Sequence, residues 1–326
     1  MAATPLNEFE RIARFFAPLA APGALKLADD VALIDGPPGE QYVLTADAIV
    51  AGVHFLPEDP PAEVAQKLLR VNLSDLAAKG ATPFGYLLTI ALAPGCDESW
   101  LAEFARGLAA DQPRFGMALL GGDSVATPGP TTLSVAAIGR IPAGNAILRQ
   151  GAVPGDRVYV SGTLGDAALG LAVAQGGLAG LDPAARGFLV DRYRLPQPRL
   201  ALGRRLVGLA RAMMDISDGL VADLGHLCEA SGVGATLEAG LLPLSPAARA
   251  ALAAEPALAS APLGGGDDYE LLFAAPAGAA AALAALAAAE GVPLAEIGRI
   301  EAEPGVRVVG PDGQPLTVTA PGYRHF

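Results

Sequence analysis

Short apolar runs separated by glycine and proline recur through the first 150 residues, a pattern typical of buried β-strands. Two such runs, at residues 31–34 and 42–44, flank the turn sequence Gly36-Pro37-Pro38-Gly39 and predict a pair of strands. Residues 84–92, 117–120 and 133–138 predict three more. The strand at 117–120 is expected to end in a turn, Gly121-Gly122-Asp123.

Apolar residues at helical spacing predict three helices in the same part of the chain. The first follows a pair that resembles a capping box, Asn7 and Glu10, and ends near Pro22. The second begins at Pro61, has one apolar face and ends at Gly80. The third covers residues 101–110.

A segment rich in glycine and proline, residues 150–156, predicts a boundary between two domains, 1–150 and 151–326. The second half begins with a strand at 157–161, a glycine turn and a helix from about Asp166. Further strands are predicted at 212–214, 271–273 and 306–309, and an alanine-rich helix at 279–289. Strands and helices alternate in both halves, so the predicted fold class is α/β (α+β).

The chain has 326 residues, and its net charge is −12. Such an acidic protein is not expected to bind nucleic acid or an anionic membrane by bulk attraction. It can bind anionic ligands if metal ions lie between its carboxylates and theirs. Three of its 22 basic residues are lysines (Lys26, Lys67 and Lys79), so a Walker-type lysine has few candidates.

The N-terminal residues do not have a signal-peptide pattern, and the longest apolar run is shorter than the ~20 residues that a spanning helix needs. Cys96 and Cys228 fit no metal or redox spacing and are expected to be free thiols in a reducing compartment. We therefore expect a cytoplasmic protein.

Aspartates stand beside the ends of several predicted strands. Asp30 precedes the first strand, and Thr45 and Asp47 follow the second, where the spacing puts a hydroxyl and a carboxylate on one side. An aspartate in such a place is also a common turn or cap residue. As a set, however, these oxygens favour a hard cation such as Mg²⁺, which often bridges to phosphate.

Two polar pairs on the Pro61 helix allow different interpretations. Asn72 and Asp75 are three residues apart and share a face, which would suit a ligand site. Asp75 and Lys79 are four apart and could form an ordinary surface ion pair. The residues alone leave both open.

Two later segments carry polar groups next to glycine. Gly121 and Gly122 would let a ligand approach the backbone, although a tight turn explains the same sequence. Asp215-Ile216-Ser217-Asp218-Gly219 places two carboxylates and a hydroxyl at the start of a predicted helix and suggests a bound ion or phosphate. His54 lies among apolar residues and is expected to be a hydrogen-bonded core residue. The sequence contains no histidine pair with zinc spacing and no Walker, protein-kinase or nucleophile-elbow motif.

The motifs, in order, are similar to those of the thiamine-monophosphate kinase family. They are Asp29-Asp30, Thr45-Ala46-Asp47, Gly52-Val53-His54-Phe55, Asn72-Leu73-Ser74-Asp75, Gly121-Gly122-Asp123, Asp215-Ile216-Ser217-Asp218-Gly219 and Asp267-Asp268-Tyr269-Glu270-Leu271. The resemblance covers essentially the whole chain. It implies the two-domain fold of the aminoimidazole ribonucleotide synthetase superfamily, with an N-terminal sheet domain that dimerises, a C-terminal α/β domain that completes the active site, and ATP between them.

The resemblance also implies direct transfer of phosphate from ATP to thiamine monophosphate, with several Mg²⁺ ions and no side-chain base. The implied metal ligands are Asp30, Thr45, Asp47, Asp75, Asp123, Asp215 and Asp218. The implied ATP contacts are Gly122, Asp123, Arg149 and Ser217. The implied substrate contacts are His54, Asp267 and Tyr323, with the last two facing the thiazolium cation.

Three residues depart from the usual pattern of that family. Ala28 stands where the family usually has Gly, and Ala46 where it has Ser or Thr, so the number of metal ions is left open. Asp267 stands where the family usually has Glu, which keeps the charge but shortens its reach toward the substrate.

Other functions also fit the sequence. An aminoimidazole ribonucleotide synthetase-like cyclase would use ATP too, and a non-catalytic sensor of nucleotide or thiamine phosphate would need the same ligands. Selenophosphate synthetase is disfavoured because no reactive cysteine lies near the start of the chain. The hydrogenase-maturation relative is disfavoured because the chain ends in Tyr323-Arg324-His325-Phe326 without a cysteine.

Overall fold

The structure is a computed structural model that describes residues 22–318 and 320–323. The helix predicted after Asn7 lies outside the described residues. Within them, the backbone forms two β-sheets and nine α-helices. The predicted mixed α/β class is confirmed.

The first sheet is formed by five strands from the N-terminal half. They are β1 Ala32–Asp35, β2 Glu40–Val50, β3 Thr82–Leu92, β4 Leu119–Ala126 and β5 Thr132–Pro142. Their order is β1-β2-β5-β3-β4, and all neighbours are antiparallel except β3 and β4.

Two of these strands are longer than the sequence pattern predicted. Strand β2 pairs with β5 along its whole length, so Thr45 and Asp47 lie inside the strand and not after it. Strand β4 pairs with β3 from Leu119 to Ala126, so Gly122 and Asp123 are also inside a strand, and the predicted turn there is wrong. In both cases, pairing with a neighbour keeps a polar segment extended beyond the apolar run.

The second sheet is formed by six strands from the C-terminal half. They are β6 Arg157–Ser161, β7 Ala212–Asp215, β8 Gly234–Glu238, β9 Leu271–Ala275, β10 Leu294–Glu301 and β11 Gly305–Val309. Their order is β11-β8-β10-β6-β9-β7, and only β8 and β11 are parallel. We propose the domain boundary at residues 150/151, in the segment between the last strand of the first sheet and β6.

The helices cover the sheets. They are α1 Pro61–Ala78, α2 Glu98–Phe115, α3 Asp166–Ala174, α4 Pro183–Arg194, α5 Leu200–Leu206, α6 Leu220–Ser231, α7 Pro246–Ala254, α8 Ala261–Gly264 and α9 Ala280–Glu290. None of the described helices is both long enough and apolar enough to cross a membrane. Cys96 and Cys228 are both free thiols, as predicted.

Helix α1 positions the site because it packs against both sheets. It contacts β2 and β5 of the first sheet and β7 of the second. One hydrophobic core accordingly joins Leu68 of α1, Val135 of β5 and Phe273 of β9. The helix is buried almost all around, and its polar residues are buried with the apolar ones. Buried polar groups need partners, and those partners define the site described next.

Candidate active site

The face of β2 that packs on helix α1 carries the first polar contacts of the site. The hydroxyl of Thr45 donates a hydrogen bond to Asp75 Oδ2 at 2.5 Å. Asn72 Oδ1 accepts a hydrogen bond from the backbone N–H of Asp47 at 3.0 Å. Asn72 and Asp75 therefore both face β2, as their spacing on the helix predicted.

Five aspartates from different elements converge beside this contact. We call them the acidic cluster, which consists of Asp30, Asp47, Asp75, Asp215 and Asp218. Carboxylate oxygens of Asp30, Asp75 and Asp215 lie within 4.8 Å of one another. The charge of Asp47 acts on Asp75, and the charge of Asp218 acts on Asp47. With Thr45, the structure thus brings together six of the seven predicted metal ligands.

Three members of the acidic cluster, Asp47, Asp75 and Asp215, have raised pKa values. Burial, together with the charge of Asp30, raises the pKa of Asp47 to about 6 and that of Asp215 to about 7. Burial and the charges of Asp47 and Asp215 also raise the pKa of Asp75 well above its usual range. Crowded carboxylates of this kind favour their protonated forms. A cation bound among them would relieve the repulsion, so the cluster fits a hard divalent ion.

Asp30 differs from the other members because two cations contact it. Lys79 Nζ lies 2.7 Å from Asp30 Oδ2 and 2.9 Å from Asp29 Oδ1. Arg149 pairs with the other carboxylate oxygen of Asp30. Burial alone would raise the pKa of Asp30, but Lys79 and Arg149 outweigh burial and lower it to about 2.

The position of Lys79 also decides between the two interpretations of helix α1. Lys79 is completely buried, and Asp75 is nearly so. A surface pair between Asp75 and Lys79 is therefore wrong, because the helix ends inside the protein, where Lys79 reaches Asp29 and Asp30.

The Asp215–Gly219 segment is held by an acid that the sequence analysis overlooked. Asp223 Oδ2 accepts hydrogen bonds from the backbone N–H groups of Ser217, Asp218 and Gly219, at 3.0 to 3.2 Å. The backbone N–H groups that lead into α6 thus have a carboxylate acceptor within the helix itself. The segment contributes carboxylate oxygens to the site through Asp215 and Asp218, which belong to the acidic cluster.

The three predicted substrate residues lie around the same cluster. Lys67 Nζ connects two of them, because it donates to the carbonyl of His54 at 2.9 Å and to Asp267 Oδ2 at 2.7 Å. The backbone N–H of Tyr323 donates to the carbonyl of Asp218 at 2.9 Å. His54 Nδ1 accepts a hydrogen bond from the N–H of Val50 at 3.1 Å, so the expected hydrogen-bonded histidine is confirmed, although it is half-buried and not in the core.

Asp123 and Gly122 lie on the exposed edge strand β4. Among the described residues, Asp123 is not in the group of mutually close carboxylates. Its Oδ1 accepts a hydrogen bond from Ser124 N–H. A side chain at Gly122 would collide with the carbonyl oxygen of Leu88, so close strand packing already requires glycine there. The ligand roles of both residues stay predictions.

Composition could have pointed to the two lysines of the site. The chain uses three lysines among 22 basic residues, and two of them, Lys67 and Lys79, are buried beside the predicted site residues. Their rarity was the available signal. Asp223 had no comparable signal, because an aspartate in the first turn of a helix is common.

The chain matches known proteins over nearly its whole length. Residues 28–141 match the family model of the AIR synthase related protein N-terminal domain, and residues 153–311 match that of the C-terminal domain. The thiamine-monophosphate kinase of Caulobacter vibrioides is 45% identical over 99% of this chain and 92% of its own. The chain belongs to the thiamine-monophosphate kinase family. The resemblance seen in the motifs is thereby confirmed.

Solved structures of thiamine-monophosphate kinases share the fold. The enzyme from Stenotrophomonas maltophilia K279a is 42% identical, with a TM-score of 0.79 and coverage of 88% of this chain and 90% of its own. The complex of AaThiL with AMPPCP and TMP is 30% identical, with a TM-score of 0.86 and complete coverage of both chains.

Proposed function

We propose that this protein transfers the γ-phosphoryl group of ATP to thiamine monophosphate, giving thiamine diphosphate and ADP. The observation that carries the proposal is the group of close carboxylates from Asp30, Asp75 and Asp215, in a chain 45% identical to a thiamine-monophosphate kinase. A family member also binds the ATP analogue AMPPCP together with TMP. Because this relative binds both ligands and aligns with the whole chain, it supports the same pair of substrates here.

The acidic cluster and Thr45 would hold Mg²⁺. Their donor atoms are all oxygens, and the raised pKa values of Asp47, Asp75 and Asp215 reflect burial and repulsion between carboxylates, which a bound cation would relieve. Bound Mg²⁺ would neutralise phosphate charge and align donor and acceptor. Asp123 is included as a proposed ligand on the family resemblance alone.

The chain's own residues then have binding and positioning tasks. The acceptor is a phosphate oxygen that is already largely ionised at neutral pH, so no general base is required. Asn72 and Asp223 hold the backbones of Asp47 and of the Asp215–Gly219 segment by hydrogen bonds. Such fixed placement is the main protein contribution to phosphoryl transfer.

We assign the substrate contacts to His54, Asp267 and Tyr323. Asp267 offers a carboxylate and Tyr323 an aromatic ring, which together suit the cationic thiazolium of thiamine. Tyr323 is 49% exposed, which leaves ring surface for a ligand. The ATP contacts are assigned to Gly122, Asp123, Arg149 and Ser217 from the family resemblance.

A homodimer through the outer face of the first sheet is also proposed. Ile34, Leu87 and Val125 lie on β1, β3 and β4 and are each about half exposed. Exposed apolar side chains spread across one sheet face are typical of a protein interface. The cytoplasmic location stays a prediction.

The test is to incubate the purified protein with Mg·ATP and thiamine monophosphate and to follow both products by chromatography. We expect thiamine diphosphate and ADP in equal amounts, and no product in EDTA. Absence of product from a folded protein that binds ATP would refute the kinase. Turnover of formylglycinamidine ribonucleotide would then indicate the cyclase, and inactivity with both substrates would indicate a sensor.

A further inference from the structure

Lys79 makes three contacts with oxygen atoms at one end of the acidic cluster. Its Nζ lies 2.9 Å from Asp29 Oδ1, 2.7 Å from Asp30 Oδ2 and 3.2 Å from the backbone carbonyl of Met213. Both carboxylate contacts are ion pairs, in which the ammonium acts as a compact point charge among oxygens.

The rest of the residue is fixed in place. Lys79 caps the C-terminus of helix α1, where its N–H donates to the carbonyls of Asp75 and Leu76. Its own carbonyl accepts a hydrogen bond from Ile147 N–H at 3.3 Å. The next residue, Gly80, has a φ of +73°, and a side chain there would meet Val207. The backbone that carries the ammonium is therefore held on both sides.

A charge at this depth requires compensation. Lys79 is 0% exposed, and the side chains of Asp29 and Asp30 are 5% and 6% exposed. Neither the two carboxylates nor the ammonium could be buried there alone without a large desolvation cost. The lysine thus provides Asp29 and Asp30 with positive charge, as a bound metal ion does for a cluster of carboxylates.

We propose that the Lys79 ammonium is a built-in cation of the active site that takes the place of one divalent ion. Together with Arg149, which pairs with Asp30, it neutralises the Asp29–Asp30 end permanently, and divalent ions bind toward Asp47, Asp75 and Asp215. Asp30 can still face such an ion, because each carboxylate oxygen has more than one lone pair. The inference rests on the magnesium site of the proposed function. It adds that this site binds one divalent ion fewer than it would without Lys79.

The test counts bound ions directly and does not depend on activity. Wild type, Lys79→Met and Lys79→Arg are titrated with Mn²⁺, and free Mn²⁺ is measured by electron paramagnetic resonance. We expect Lys79→Met to bind one more Mn²⁺ per chain than wild type, and Lys79→Arg to bind the wild-type number. Equal numbers in wild type and Lys79→Met would overturn the proposal. If wild type binds no Mn²⁺, the magnesium site itself is refuted.

Thermal unfolding with and without Mg²⁺ covers the case in which Lys79→Met folds poorly. The matched control is Arg70→Met, which removes another buried cation of α1, one paired with Asp111 outside the acidic cluster. We expect saturating Mg²⁺ to raise the midpoint of Lys79→Met more than that of wild type, and Arg70→Met to show the wild-type increase. A Lys79→Met protein that stays unfolded at every Mg²⁺ concentration would overturn the proposal, since no divalent ion could then replace the ammonium.

Discussion

Lys67 on helix α1 lies 2.7 Å from the carboxylate of Asp267, a residue 200 positions further along the chain. The ammonium also lies 4.1 Å from the ring centre of Tyr193. Asp267 itself has a φ of +70°, a conformation that costs a non-glycine residue energy and therefore needs support from its surroundings. Lys67, from the N-terminal half, helps to hold Asp267 in this conformation. Because the same ammonium also contacts the carbonyl of His54, it joins His54 and Asp267 in one binding region.

Replacement of Lys67 should therefore affect one substrate more than the other. In Lys67→Met, the Asp267 carboxylate loses its ion-pair partner and is held less firmly, while the acidic cluster is unchanged. We expect the KM for thiamine monophosphate to rise roughly tenfold and the KM for ATP to stay within about twofold. Steady-state kinetics with each substrate varied in turn would measure both.

Arg70→Met serves as the control, because Arg70 is a buried cation of the same helix that does not contact Asp267 or His54. This variant should be less stable but should keep the wild-type ratio of the two KM values. An equal rise of both KM values in Lys67→Met would contradict a positioning role.

Asp75 is expected to lower the thermal stability of the metal-free protein, although it is needed for catalysis. In Asp75→Asn, one charge leaves a crowded group whose carboxylates have raised pKa values, so the unfolding midpoint in EDTA should increase. The same change removes a proposed metal ligand, and we expect kcat to fall by about 10²–10³. Differential scanning fluorimetry and a product assay would test the two effects.

Asp111→Asn is the comparison for this variant. Asp111 is buried, like Asp75, but it forms a two-pronged ion pair with Arg70. Loss of one partner from such a pair costs ~3–5 kcal/mol, so this variant should be destabilised. The hypothesis fails if Asp75→Asn keeps full activity, or if both variants lose stability to the same extent.

The fold was predictable where apolar residues follow one period. Helix α1 begins at Pro61 as the sequence predicts, and β6 has the predicted bounds, because each has a local start signal and a continuous apolar pattern. The lengths of β2 and β4 were not predictable, since pairing with β5 and β3 decides them.

The family resemblance predicted that Asp30, Asp47, Asp75, Asp215 and Asp218 form one metal site. In the structure Asp30, Asp75 and Asp215 are mutually close and the charge of Asp218 acts on Asp47, while their role as ligands stays a prediction. Their charge balance was not anticipated. The surface pair of Asp75 with Lys79 stayed open beside a ligand site, because spacing along one helix carries no information on what covers that helix. Contacts between distant segments, such as Lys67 with Asp267, have no local signal at all.

The outer face of the first sheet allows a direct test of the dimer. Leu87→Asp would place a charge in the middle of the proposed interface, and we expect it to convert a dimer into a monomer in light scattering coupled to gel filtration. Leu241→Asp is a matched control, because Leu241 is 49% exposed and lies outside the first sheet. A wild-type protein with the mass of one chain, or a Leu87→Asp protein with the mass of two, would contradict this interface.

The raised pKa values in the acidic cluster predict an unusual dependence of stability on pH. The pKa values of Asp47 and Asp215 are about 6 and 7 in the folded protein, against an ordinary value of 3.8. The folded state therefore binds these protons more tightly than the unfolded state does. Their contribution to stability is fully present below pH 3.8 and is lost as the pH rises through 6 and 7. The pKa of Asp30 is lowered to about 2, so its contribution to stability has the opposite dependence on pH. That contribution is lost as the pH falls below 3.8 toward 2.

We accordingly expect the free energy of unfolding in EDTA to fall by a few kcal/mol between about pH 5 and about pH 8, because each unit of pKa shift corresponds to ~1.4 kcal/mol. With saturating Mg²⁺ the decrease should vanish, since the cation then replaces the protons as the partner of the carboxylates. Urea unfolding at a series of pH values, with EDTA or Mg²⁺, measures both curves. Asp215→Asn should flatten the EDTA curve, because it removes the carboxylate with the pKa of about 7. A wild-type curve in EDTA that is level across this range would show that the cluster already has its counter-charge without any divalent ion.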